Sequence, residues 1–212
     1  MKITKIGHSC IYVETPEGAA LFDPGGFYPV PLDKIEKLDN LFITHEHPDH
    51  YNVETVVSLA KVFPEATITG PQSVVADLST RGIVASLTAP EKAILFISPH
   101  EHIEPFGAKT PEQIGVHYNR IFTHPGDSHS FTETMPVLAL PITGPWGTTV
   151  RAVELALSLN PKVVVPVHDW FFSDESRVWM YARLEEVFAA HHIQFAGLSA
   201  GESITLSDLD LL

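Results

Sequence analysis

Four side chains of the kinds that bind transition metals lie within six consecutive residues of this chain. The segment Thr44–His50 reads THEHPDH, with histidines at 45, 47 and 50 and an aspartate at 49. Imidazole nitrogens and carboxylate oxygens at this density suit zinc or a similar metal. From a tight turn, residue pairs at spacings of two and three can diverge toward two metal ions. The competing interpretation is a histidine-rich turn in which Asp49 merely caps the next helix.

A two-metal site needs more donors, and three later segments supply them where a predicted strand ends. His100 and His102 follow the strand 93–98, Asp127 follows the strand 120–123, and His168 ends the apolar strand Val163–Val167. Such loops gather on one rim of a sheet, so we expect these side chains to meet the main motif. Because His100 and His102 share a face in extended chain, the residues alone leave the choice between them open.

The elements that must hold these donors follow one order twice, strands and then helices. Predicted strands cover 2–6, 11–14, 19–23, 41–44, 93–98, 115–118, 120–123, 137–140, 163–167, 194–195 and 203–206. Predicted helices cover about 51–63, 72–81, 148 or 149 to 159, and 174–191, the last capped by Asp174. Two mixed sheets packed face to face and covered by helices would bury every apolar face. We therefore predict an α/β fold, an αββα sandwich, formed by a single domain over residues 1–212.

The bulk composition limits the partners. The formal net charge is −13, which disfavours a nucleic-acid substrate because such proteins present basic surfaces. The single cysteine, Cys10, allows no disulfide within the chain and is consistent with a reducing compartment. We also expect no signal peptide and no membrane span, since apolar runs of those lengths are missing. These features predict a cytoplasmic protein with a small-molecule substrate, and they leave self-association open.

At these residues the chain resembles the metallo-β-lactamase superfamily. It is most similar to the branch of small uncharacterised metal-dependent hydrolases and the ascorbate-6-phosphate lactonase. The likeness covers nearly the whole chain. It rests on GHS at 7–9, LFDP at 21–24, the main motif, HPGDS at 124–128, PVH at 166–168 and GESITL at 201–206.

The resemblance implies a role for each donor. The implied ligands of the first metal are His45, His47 and His102, those of the second are Asp49, His50 and His168, and Asp127 bridges both. Asp23 is implied to lie under the site without binding metal. The segment 101–107 departs from the family pattern and keeps His100 as a rival to His102. His47, where a glutamate would mark the diiron oxygen-reducing branch, argues against that branch.

The implied activity is hydrolysis with two divalent ions, zinc first and manganese or iron next. Ions about 3.5–4 Å apart would bridge a water and lower its pKa toward about 7. The resulting hydroxide would attack an ester, lactone, amide or phosphoester, with Asp49 orienting it and accepting its proton. The alternatives are a phosphodiesterase acting on nucleotides or lipids, and a non-catalytic metal-binding protein that keeps the fold.

Several other ring side chains have weaker functional interpretations. His8 and His129 lie beside family motifs, and for each a structural hydrogen bond is as good an explanation as a role in the site. Trp146 and the run Trp170–Phe172 are aromatic groups on predicted rim loops, where anchoring the loop is the favoured interpretation.

Overall fold

Two six-stranded mixed sheets form the centre of the molecule in a computed structural model that describes residues 1–107 and 109–211. The first sheet has the order β12-β1-β2-β3-β4-β5. Its strands are β1 (Lys2–Gly7), β2 (Cys10–Thr15), β3 (Gly18–Phe22), β4 (Asn40–Phe42), β5 (Thr67–Thr69) and β12 (Ser203–Thr205). Strands β3, β4 and β5 run parallel, and the remaining pairs are antiparallel.

The second sheet has the order β11-β10-β9-β8-β7-β6. Its strands are β6 (Ala93–Phe96), β7 (Gly115–Tyr118), β8 (Phe122–His124), β9 (Val137–Pro141), β10 (Val163–Val167) and β11 (Gln194–Phe195). Strands β8 to β11 are parallel, so their carboxyl ends reach the same edge of the sheet. The residues that follow β8 and β10 therefore come close together in space.

Four helices cover the outer faces. They are α1 (Val53–Val62), α2 (Gln72–Thr80), α3 (Thr149–Leu159) and α4 (Asp174–Ala189). Short 3-10 turns occupy Leu32–Lys34, Glu104–Phe106 and Asp208–Leu211. Helix α4 is capped by Ser173, whose side chain accepts from the Ser176 amide, and not by Asp174 as the sequence predicted. Among the described residues no helix is both long and apolar enough to cross a membrane.

Three apolar layers hold the sandwich together. Aromatic rings of both sheets meet in the middle layer, where Phe22 stacks on Phe42 with 5.1 Å between ring centroids and Phe122 lies equally close to Phe22. The outer layers pack α1 and α2 on the first sheet and α3 and α4 on the second. This is the predicted αββα architecture, and the burial of both sheet faces explains the near-continuous apolar strands.

Candidate metal centre

The chemistry-bearing side chains collect at one rim of the sandwich, in loops that follow strands of both sheets. His8 follows β1, and the motif His45–His50 follows β4 in the first sheet. His100 follows β6, Asp127 follows β8 and His168 follows β10 in the second. The candidate site therefore lies at the edge of the sandwich where loops of the two sheets meet.

The first cluster consists of His45, His47, His100 and Asp127, each with one donor atom within 4.8 Å of the others. Nε2 of His45 lies 3.1 Å from Nδ1 of His47. Nε2 of His100 lies 3.6 Å from Oδ2 of Asp127. Burial lowers the pKa of His45 well below its usual value, so its ring is neutral and able to donate a lone pair.

The second cluster consists of His8, Asp49, His50 and His168, again with donors within 4.8 Å of one another. Oδ2 of Asp49 lies 3.4 Å from Nε2 of His168 and 3.6 Å from Nε2 of His50. Burial alone would raise the pKa of Asp49, but the facing His50 and His168 hold it well below the ordinary carboxyl range. The carboxylate is therefore ionised.

Asp127 lies between the two clusters. It belongs to the first cluster, yet its Oδ1 is 3.0 Å from Nε2 of His50 and its Oδ2 is 3.0 Å from Nε2 of His168. Burial alone would raise the pKa of Asp127, but His168 and His50 outweigh this and keep it well below its usual value. One buried carboxylate thus faces donors of both clusters.

Unpartnered polar atoms show that the donors fit metal ions. Nε2 of His50, Nε2 of His100 and Oδ1 of Asp127 are buried and have no hydrogen-bond partner among the described residues. The 3.0 Å approach of His50 to Asp127 is a charge contact without hydrogen-bond alignment. Buried polar atoms without partners are costly, and cations between the clusters would satisfy them.

The imidazole nitrogens that face away from the clusters are held by hydrogen bonds. Nδ1 of His168 lies 2.6 Å from the Thr143 carbonyl, and Nδ1 of His100 lies 2.6 Å from that of Glu101. A carbonyl can only accept, so each ring carries a proton on Nδ1 and directs its Nε2 toward the centre. Such partners orient metal-binding histidines in proteins generally.

The backbone at the rim is strained at three residues. His8, Asp23 and His168 have φ values of 52°, 47° and 57°, in the left-handed region that residues other than glycine seldom adopt. Gly25 packs so tightly on the carbonyl of Asp49 that a Cβ would come within 1.8 Å of its oxygen. Strain of this kind persists where the surrounding structure holds a functional geometry in place.

A buried ionic network lies directly behind the second cluster. Asp169, the neighbour of His168, accepts from Nζ of Lys5 at 2.8 Å and from the Tyr181 hydroxyl at 2.6 Å. Nε of Arg177 lies 3.1 Å from the same carboxylate. The network ties β1 and α4 to the end of β10, and so fixes the backbone that carries His168.

The structure corrects the choice of His102. Its side chain is 72% exposed and pairs with Glu104, whereas His100 is buried in the first cluster. The choice of His102 came from the family resemblance, because the residues alone had left both histidines open, and β6 ends before either of them, at Phe96. The Glu101 amide donates to the Asp127 carbonyl, and the Glu101 side chain accepts from the His129 amide. This anchoring turns His100 inward and leaves His102 in solvent.

Two further differences concern His8 and Asp49. Sequence left His8 with equal functional and structural interpretations, and the structure places it in the second cluster, 3.0 Å from Oδ2 of Asp49. The residue that caps α1 is Asn52, whose side chain accepts from the Thr55 amide. Asp49 is therefore free of the capping role that the competing interpretation gave it. The GHS segment beside β1 was the available signal for His8.

A comparison with protein families bears on this geometry. Residues 2–168 match the model of the β-lactamase superfamily domain. The chain belongs to the β-lactamase superfamily. The match covers most of the chain, including both clusters, from His8 to His168.

Individual members of the superfamily extend the likeness. Protein Rv0786c of Mycobacterium tuberculosis is 30% identical over 198 residues, covering 88% of this chain and 92% of that protein. A UPF0173 metal-dependent hydrolase of Caldivirga maquilingensis is 25% identical over 187 residues, covering 77% and 79%. Igni18, a metallo hydrolase from Ignicoccus hospitalis, shares the fold with a TM-score of 0.71 at 22% identity, covering 97% and 98%. This β-lactamase superfamily member is a metal-dependent hydrolase.

Proposed function

We propose that the chain is a dinuclear hydrolase of a small molecule that carries an ester, lactone or phosphoester bond. The observation that supports this most is the position of Asp127 between two four-donor clusters. A carboxylate whose oxygens face donors of both clusters suits a ligand shared between two ions. The phosphodiesterase and non-catalytic alternatives have no comparable observation in their favour.

In this proposal the first ion is held by His45, His47 and His100, the second by Asp49, His50 and His168, and Asp127 contacts both. The ligand set replaces His102 by His100 and otherwise keeps the predicted residues. The donors are imidazole and carboxylate without thiolate, a set that admits zinc, manganese or iron. Zinc is the ion we expect first, because histidine nitrogens and carboxylate oxygens are among its usual ligands in proteins.

Two divalent ions at these positions would polarise the scissile carbonyl or phosphoryl group and make a water nucleophilic at neutral pH. Asp49 would orient that water, since its carboxylate is ionised and its side chain is only partly buried. Asp49 would also accept the proton that this water gives up. Attack by water breaks the bond and releases an acid and an alcohol.

His8 would position Asp49 and not bind the second ion. The Trp170 amide donates to Nδ1 of His8 at 3.4 Å, which places the ring proton on Nε2. That nitrogen then donates to Oδ2 of Asp49 at 3.0 Å. A protonated nitrogen has no lone pair to offer a metal, so His8 differs from the other three members of its cluster.

Elemental analysis of protein purified without chelator tests the metal part of the proposal. We expect close to two transition-metal ions per chain, as in two-metal hydrolases. Turnover of esters, lactones and phosphodiesters with zinc, manganese or iron supplied separately tests the reaction. Less than half an equivalent of metal, with no rise on adding these ions, would contradict the dinuclear site.

Two predictions from the sequence accompany this proposal. A cytoplasmic location rests on the lone cysteine, Cys10, which is buried between β1 and β3 in the first sheet. A small-molecule substrate rests on the acidic composition and on the limited size of the space at the metal centre.

A further inference from the structure

A cavity of about 280 Å³ opens onto the candidate metal centre. Besides the metal-binding side chains, its walls are formed by Phe27, Ile103, Pro145, Trp146 and Phe171. No lysine or arginine of the described residues lines it. Ligand pockets for drug-sized molecules occupy about 300–1,000 Å³, so this cavity suits a smaller group, such as one aromatic ring or a short aliphatic chain.

Trp146 is held over the metal centre by contacts with two of the metal-binding residues, Asp127 and His168. Its Nε1 donates to Oδ2 of Asp127 at 3.2 Å, and its ring meets that of His168 edge-on with 5.1 Å between centroids. The loop around it is close-fitting, because a Cβ on Gly144 would lie 2.8 Å from the indole. With its only polar atom engaged, the remaining accessible surface of Trp146 is apolar. Anchoring the loop, the role predicted from sequence, leaves that accessible surface unexplained.

A second aromatic wall stands beside the second cluster. Phe171 stacks on His168 at 5.7 Å between centroids, and Phe27 lies 5.1 Å from His8. Phe171 is 51% exposed and Phe27 is 39% exposed, although other phenylalanines of the chain are fully buried. Exposed apolar surface that borders a polar centre is typical of a ligand-binding groove.

The charges in the cavity also limit what can enter. Its ionisable side chains other than histidine are Asp49 and Asp127, both of which face the metal positions. Proteins hold phosphate and carboxylate groups with arginine, lysine or helix N-termini. The lining residues lie in loops and include no such cation. A second anionic group on the substrate would therefore lose its hydration without gaining a partner.

We propose that the substrate places an uncharged apolar group, aryl or short aliphatic, in this cavity, so that the enzyme hydrolyses esters or lactones of apolar carboxylic acids in preference to those that carry a second anionic group. This rests on the proposed hydrolytic function. In the reaction the oxygen of water bonds to the acyl carbon and the acyl–oxygen bond breaks. One proton of the water passes to the departing alcohol, and the other is released from the carboxylic acid.

A matched set of methyl esters tests the inference. Methyl hexanoate and methyl phenylacetate present apolar groups, methyl acetate lacks one, and monomethyl adipate carries a carboxylate at the end of a chain like that of the hexanoate. We expect kcat/KM for the two apolar esters to exceed that for the other two by at least about tenfold. In an apolar pocket, even one methylene group on the substrate changes kcat/KM by about that factor or more.

Binding of the uncharged 2-phenylethanol to the metal-loaded protein, followed by calorimetry, gives a readout independent of turnover. Phe171→Ala, at a half-exposed position, should weaken this binding at least about fivefold and reduce the preference for methyl hexanoate. Trp179→Ala is the matched control, because Trp179 is a 63% exposed aromatic residue of α4 that does not line the cavity.

The outcomes separate the two proposals. Equal kcat/KM for monomethyl adipate and methyl hexanoate, or equal effects of the two alanine variants, would overturn the apolar cavity while the hydrolase remained. Binding of 2-phenylethanol that Phe171→Ala weakens, with no hydrolysis of any ester by the loaded protein, would support the cavity and overturn the proposed reaction.

Discussion

The carboxylate of Asp23 accepts a hydrogen bond from Nδ1 of His50, with 2.7 Å between oxygen and nitrogen. The same carboxylate accepts from the amide and the hydroxyl of Thr44, and that hydroxyl lies 3.1 Å from Nδ1 of His45. One fully buried residue therefore orients a histidine of each cluster. This agrees with the role under the site that the resemblance implied for Asp23.

His100 and His102 provide a direct test of the ligand assignment. His100→Ala should reduce metal content from about two ions per chain to about one, because it removes a donor from the first cluster. His102→Ala, in the same loop, is the control. It should leave both ions and turnover unchanged because the His102 side chain is in solvent. Metal loss in the His102 variant alone would restore the original assignment.

Asp49→Asn separates catalysis from folding. Turnover should fall by about 10²–10⁴-fold, the contribution typical of a positioned proton-transfer group, and the second ion should bind more weakly. Stability of α1 should be unaffected, since Asn52 is its cap. Asn52→Ala should do the reverse, costing about 1 kcal/mol of stability with metals retained. An Asp49→Asn enzyme at full rate with both ions bound would refute the mechanism.

His8→Asn tests whether this residue positions Asp49 or binds metal. Asparagine tolerates the left-handed backbone at this position but is too short to reach Asp49. We expect kcat to fall while KM and metal content stay near those of the wild type. His8→Gln, whose longer side chain can donate an N–H, should recover part of kcat. Loss of the second ion from His8→Asn would instead make His8 a ligand.

Stability without metal should decline above neutral pH. Burial would lower the pKa of His168, but Asp127 and Asp49 raise it to about 9, against about 6.5 in the unfolded chain. The stabilisation that protonated His168 gives the metal-free protein is therefore complete below pH 6.5 and is lost as the pH rises through about 9. Urea midpoints of chelator-treated protein at pH 6.5, 7.5 and 9 measure this.

The metal-loaded protein and His168→Asn are the comparisons for that pH series. Ions displace the proton from His168, so the loaded protein should keep its urea midpoint up to pH 9. Asparagine also tolerates the left-handed backbone at position 168. The urea midpoint of metal-free His168→Asn should therefore fall less steeply with rising pH than that of the metal-free wild type. A metal-free wild type that gains stability between pH 6.5 and 9 would contradict the proposed charge state.

Lys5→Met tests the buried network behind His168. Removing Nζ leaves Asp169 with less compensation, and breaking a buried ion pair costs about 3–5 kcal/mol. Lys2→Met is the matched control on the same strand, because Lys2 pairs with Glu14 at the surface, where a pair contributes about 0–1 kcal/mol. Equal urea midpoints for the two variants would show that the network is unimportant for stability.

Sequence predicted the architecture because its strands and helices carry strong apolar patterns. The strand β10 had the predicted bounds, whereas β5 was not predicted, being three residues long with threonine at both ends. Its strand character comes from pairing with β4, a contact that local sequence does not encode.

The metal-binding residues that fall within one sequence motif could be predicted. Those whose orientation depends on how separate loops pack together could not. The orientation of His100 depends on how Glu101 is tied to the loop of Asp127, a contact between distant segments. The cavity walls likewise come from four separate loops, so Phe27 and Phe171 could not be assigned to one pocket from their neighbours in sequence. Long-range packing, and not residue type, settled these positions.

The division of each cluster between the two sheets has a consequence for biosynthesis. The first sheet's loops supply His45, His47, Asp49 and His50 early in the chain, but the second cluster also needs His168. A nascent chain therefore completes the first cluster once Asp127 has been made, but it lacks a ligand of the second cluster until His168 follows. Loading of the second site with metal must therefore follow the synthesis of β10, and a translation product that ends before this strand would leave Asp49 and His50 without their third partner.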